Sequence, residues 1–204
     1  DQDDLYVQMP FLSAMVEHWA NCDWTKFGDY FRSFTAGLAH ANMIGRQNLQ
    51  AGWQVPDSGH YSRNSHCDDI DWQIESNFGG LVAPGQPNAA AELTWRAGHT
   101  MNYGDGVYGG VFLAVMQAEA FFATNVDQIV EAGRQIIPID SKYRQVIEDI
   151  ITWKGQGRSW QQSWQLLQNK WGNTDRCPDG INNPFNIDAK LNGAYVLLGL
   201  LHGG

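Results

Sequence analysis

Cysteine is scarce in this sequence: three in 204 residues, at positions 22, 67 and 177. An odd, widely spaced set with no C-x-x-C pair argues against a disulfide framework and a thiolate metal clip, and it fits a reducing compartment such as the cytoplasm. Positive charge is also sparse, with 13 Lys and Arg against 22 Asp and Glu, a formal net charge of -9. The resulting field repels phosphate backbones and anionic lipid headgroups, so nucleic acid and membrane surfaces are excluded as expected partners. The longest apolar stretches, Val111 to Met116 and Ala194 to Leu201, fall short of the roughly 20 residues that span a bilayer. There is no G-x-S-x-G elbow, Walker loop or dinucleotide fingerprint, which removes the serine-hydrolase and nucleotide-kinase readings.

What is present is apolar and aromatic. Hydrophobic residues make up 43% of the chain, and aromatics 12%. That is ample surface to offset ordering entropy, and the length suits one core, so residues 1–204 read as a single domain. Apolar residues recur at helical spacing and sustained period-two alternation is hard to find, which predicts an all-α fold. Leu5, Met9, Leu12 and Val16 form one candidate packing stripe, and Trp160, Trp164, Leu167 and Trp171 another. Thr124 to Asp127 and Ser159 to Gln162 fit capping boxes. Val146, Ile147, Ile150 and Ile151 mark a helix that should end at Lys154-Gly155-Gln156-Gly157. Residues 105–122 are apolar almost all round, as a central helix requires. Two Gly/Pro/Asn-rich stretches, roughly 52–68 and 172–188, read as long loops.

Three places hold candidate chemistry. Asp3 and Asp4 open an amphipathic helix; adjacent carboxylates there can offer oxygen ligands to a hard cation, although simple helix capping uses the same letters. Asp68, Asp69 and Asp71 follow His60, His66 and Cys67, but the spacing is not that of a zinc clip. His99 and Asp105 flank a glycine-bearing turn at the mouth of the central helix, and a histidine with an aspartate can bind substrate or move protons. A satisfied core histidine beside a capping aspartate explains that pair equally. Of nine tryptophans, Trp53, Trp72 and Trp95 are the least committed to core stripes and the most available for sugar or base stacking.

Together these segments resemble the ADP-ribosylglycohydrolase family, specifically its bacterial branch of larger glycohydrolase-like proteins. Gln2-Asp3-Asp4-Leu5 is similar to the branch's Asn-Asp-Asp-Leu form of the family metal motif, and Gly104-Asp105-Gly106-Val107-Tyr108 to its Gly-Asp-Gly-Val-Tyr block. Ile74 to Gly85 resembles a helix ending in Ala-Pro-Gly, and Ile136-Ile137-Pro138 through Ser141 and the helix at Asn192 to Leu201 follow the family's order. The resemblance implies an orthogonal multi-helix bundle that hydrolyses an ADP-ribosyl or related glycosyl linkage with Mg2+. ADP-ribosylated protein or a small ADP-ribosyl compound would be the substrate. It implies Asp3 and Asp4 as metal ligands, Asp4, Asp69 and Asp71 in catalysis, and His99, Asn102 and Asp105 on the substrate side. The family's upstream glycine-rich helix with its acidic residue, and its downstream Asp-x-Asp motif, have no counterpart here. Both ends of the chain therefore read as cut, and activity of the isolated fragment is left open. A non-catalytic, degenerate helical domain that binds ligand or serves structure is the alternative.

Overall fold

A computed structural model describes residues 3–172, 174 and 186–203, without the side chains of residues 3 and 20. Those residues form α1 (Asp3–Tyr6), α2 (Gln8–His18), α3 (Trp24–Ser33), α4 (His40–Gln50), α5 (Asp71–Glu75), α6 (Asn77–Leu81), α7 (Pro87–Gly98), α8 (Asp105–Ala120), α9 (Val126–Ile136), α10 (Lys142–Gly155), α11 (Trp160–Trp171) and α12 (Ala189–His202). Among the described residues the β-type pairing is a single bridge between Asp69 and Asp188. The all-α expectation holds, and no helix of the described residues is long and apolar enough to cross a membrane.

The expected central helix is α8. It buries residues on all sides, from Gly106 and Val107 to Met116 and Ala118, and packs against α5, α6, α7 and α9. One hydrophobic cluster joins α8 to the helices that follow it, through Phe112, Tyr143, Ile147, Leu167 and Leu197. A second, built on Phe11, Phe27, Phe31, Trp72 and Phe78, gathers the helices that precede it. Trp72 stands where α5 meets α7 and α8. Its ring meets Phe11 at 5.2 Å and Phe78 at 6.0 Å between centroids, both edge-on. Two glycines admit it: a Cβ at Gly110 would lie 2.2 Å from the indole Cδ1, and one at Gly98 2.5 Å from Nε1. Bare backbone on α7 and α8 thus lets a short helix approach both.

Several local expectations need correction. Leu5, Met9 and Val16 are exposed; α2 instead buries Gln8, Pro10, Phe11 and Ala14. The chain turns at Val7, which restarts the helical register, and Phe11 then stacks on Phe31 at 5.5 Å and faces Phe78 at 6.0 Å, contacts that a Leu/Met stripe cannot match. On α11, Leu167 and Trp171 are core, whereas Trp160 and Trp164 are partly exposed and line a groove with Tyr195, Leu198 and His202. The Ser159 capping box forms as expected, while the other cap shifts one residue: Asn125 accepts from the Gln128 amide. The 74–85 helix is two short ones, α5 and α6, stopping before Gly85 at φ +69. The expected 172–188 loop, with Cys177, lies mostly outside the described residues.

Gly110→Ala should therefore cost about 1–3 kcal/mol through overpacking against Trp72, lowering the midpoint of thermal unfolding by roughly 2–12 °C. Circular dichroism melts check it; an unchanged midpoint would mean the indole has room to move.

Candidate functional site

The segment from Asn64 to Ile70 is irregular and buries Asn64, Cys67 and Asp69, so main-chain groups there need partners from elsewhere. Two fully buried asparagines supply many of them. Asn102 donates through Nδ2 to the carbonyls of Cys67 and Asp69, at 2.9 Å each, and accepts from the Trp72 amide at 3.2 Å. Asn64 donates to the carbonyls of Ala41 and Met101, at 3.0 and 2.7 Å, and accepts from the His66 amide at 3.0 Å. Farther along the chain, the Ile70 amide donates to the Ile187 carbonyl at 2.7 Å, and the Ala189 amide to that of Asp68 at 3.0 Å.

This frame sets two aspartates in different roles. The carboxylate of Asp69 is fully buried, with Oδ2 at 2.7 Å from His66 Nδ1 and 3.9 Å from His40 Nδ1. The carboxylate of Asp71 accepts from the amide of Asn42 at 3.1 Å. Helix α4 begins after Ala39, which has no side-chain oxygen to offer, so Asp71 caps it from α5. Glu75, one turn beyond Asp71 and also buried, accepts from the Asn42 side-chain amide. The two acids hold the start of α4, where His40 takes a left-handed backbone with φ +45. Helix α1 packs beside α5, which places exposed Asp4 on the helix neighbouring Asp71 and Glu75. The side chain of Asp3 lies outside the described residues.

Among the described residues one group offers metal-ligating atoms in a cluster: His40, His66 and Asp69, one atom from each lying within 4.8 Å of the others. The expected histidine neighbour His60 is not part of it; its ring packs on Tyr61 and Tyr103, at 4.0 and 4.5 Å.

The residues expected on the substrate side go to different places. Asn102 is occupied by main-chain groups and acts on the site by positioning Asp69 and Trp72. His99 sits in an aromatic nest of Trp24, Trp95 and Tyr103, with centroids 5.1, 4.6 and 5.2 Å away. Its Nδ1 is 2.7 Å from the Trp95 carbonyl, which can only accept, so Nδ1 carries the proton of the neutral ring. Burial holds the imidazole below its usual pKa, against the opposing effect of that hydrogen bond. The carboxylate of Asp105 accepts from the Tyr143 amide at 3.1 Å, tying α8 to α10, and lines a polar cavity of about 300 Å³ with Asp68, Tyr108, Asp140 and Lys142. Of the tryptophans left for stacking, Trp72 is fully buried, and Trp53 is partly exposed with the Arg63 guanidinium 3.7 Å over its ring. Trp95 remains partly exposed beside His99.

Sequence reasoning missed His40, Asn42, Asn64 and Glu75. Glu75 is one turn from Asp71, a spacing that could have been read. His40 is joined to His66 only by the fold.

A family model described as ADP-ribosylglycohydrolase matches residues 2–198. No curated protein and no solved structure matches the chain.

Two measurements follow from this geometry. Asn102→Ala strands buried main-chain groups and should cost about 2–4 kcal/mol in chemical unfolding; a loss below about 0.5 kcal/mol would show that another group satisfies them. The pKa of His99 is lower folded than unfolded, so stability is full above the ordinary value of 6.5 and declines as pH falls through it, where the unfolded chain takes up a proton that the native state refuses. Between pH 7.5 and 5.5 the wild type should lose more stability than His99→Gln, and equal losses would remove His99 from the account.

Proposed function

The chain belongs to the ADP-ribosylglycohydrolase family, and on that premise we propose that it takes part in Mg2+-dependent hydrolysis of an ADP-ribosyl linkage, on ADP-ribosylated protein or a small ADP-ribosyl compound. The observation that carries the reading is the placement of acids: Asp69, Asp71 and Glu75 are buried within one short stretch of chain, on and just before a helix that packs against the one bearing Asp4. Burying three carboxylates is costly unless cations or hydrogen-bond donors compensate, and here donors from α4 and the 64–66 turn do so while holding the group in place.

The donor chemistry fits magnesium, which takes hard oxygen ligands, often only one or two of them protein carboxylates. In this reading Asp3 and Asp4 hold the ion, which when bound polarises an oxygen of the sugar or of water. Asp69 and Asp71, kept rigid by Asn102 and Asn42, act on the sugar side. Asp71 stands at the start of α4, where it accepts from the Asn42 main-chain amide. A carboxylate there stabilises positive charge developing at the anomeric carbon. Asp105 and neutral His99, with acceptor Nε2, shape the substrate side.

A specific observation favours the second reading, a ligand-binding or structural domain without turnover: Asp71 and Glu75 cap α4, and Asn102 serves main chain, so much of the polar machinery already has structural work. The test is release of free ADP-ribose from ADP-ribosyl-arginine or ADP-ribosylated protein. Turnover should require Mg2+, and Asp4→Ala should reduce it by at least the roughly 10–100-fold that even an outer-shell metal partner carries. Binding of ADP-ribose by calorimetry with no release in any metal condition would select the second reading.

A further inference from the structure

We infer that His40, His66 and Asp69 form a binding site for one divalent transition-metal ion of the zinc or cobalt class. The inference goes beyond the hydrolase reading and does not rest on it.

Two imidazole nitrogens and one carboxylate oxygen make a borderline donor set. Zinc, cobalt, iron and manganese accept such a set with positions left open for water or ligand, whereas magnesium and calcium favour oxygen alone. The spacing is suitable. Two ligand atoms each about 2.0–2.1 Å from a tetrahedral ion stand roughly 3.3 Å apart. The Asp69 Oδ2 distances of 2.7 Å to His66 Nδ1 and 3.9 Å to His40 Nδ1 bracket that value, so small side-chain rotations close the set. A hydrogen bond between His66 and Asp69 accounts for the shorter distance, and His40 faces the same carboxylate oxygen.

The three ligands are also held before any ion arrives. Asn64 grips both sides of the histidine pair, through the Ala41 carbonyl next to His40 and through the His66 amide. Asn102 fixes the main chain of Asp69. His40 is kept in the left-handed region, a conformation that side chains bearing a Cβ rarely adopt and that clusters at ligand sites. The rings of His40 and His66 meet edge-on at 5.3 Å between centroids. Access is open on one side: the His40 side chain is 41% exposed, that of His66 16%, and that of Asp69 0%. An ion therefore enters past His40 and comes to rest against Asp69.

The probe is Co2+, followed by calorimetry and by its visible absorption bands, on the chelator-stripped chain in excess Mg2+, with Zn2+ as competitor. One equivalent should bind, Zn2+ should displace it, and His40→Ala and His66→Ala should each weaken binding about tenfold or more, with helicity by circular dichroism unchanged. His60→Ala and Asp4→Ala should bind Co2+ as the parent does. No binding, binding untouched by both cluster variants, or equal loss in His60→Ala or Asp4→Ala would overturn the assignment. If His66→Ala unfolds, His40→Ala decides alone, since its ring is the most exposed of the three ligands. Loss of hydrolysis in Asp4→Ala with Co2+ binding intact keeps this assignment apart from the fate of the hydrolase reading.

Discussion

The carboxamide of Asn102 is the contact on which the candidate site depends. Its three hydrogen bonds reach both ends of the 67–72 turn, so one side chain sets where Asp69, Asp71 and Trp72 stand relative to each other. Buried main-chain groups without such a partner would reopen the turn towards water. Through Asp71 the constraint passes to α4, and through Trp72 to the cleft between α7 and α8. Polar placement and apolar packing are thus coupled at neighbouring residues.

That coupling explains the use of glycine around Trp72. Gly98 precedes the turn that carries Asn102, and Gly110 lies one turn into α8. Both are bare where the indole passes, which brings α5 close enough for the Trp72 amide to reach Asn102. The glycines needed for packing are the ones that let the hydrogen bonds form.

The large features were legible in the sequence because they follow from composition and periodicity. The central helix shows in the all-round apolar run at 105–122, and the Ser159 cap and the Gly155 stop rest on local chemistry that tertiary context rarely overrides. The α2 stripe differs from its sequence pattern because periodicity within one segment does not tell which face meets four aromatic partners from distant segments; Phe11 finds those partners and Leu5 does not. Asp69 and Asp71 stood out as an acidic pair, but their division of labour depends on which donors the fold brings to each. His40 carried no local signal, lying far from His66 in the chain and meeting it only through Asn64 and the 64–69 turn.

The backbone of His40 has a consequence for how this protein responds to stabilisation. A non-glycine residue at φ +45 costs of order 1–3 kcal/mol that its surroundings must offset, so a directed-evolution screen for heat tolerance would be drawn to glycine at this position. The winner of that screen would be a calmer fold stripped of an imidazole, a case in which thermostability and a chemical endowment pull a single codon in opposite directions.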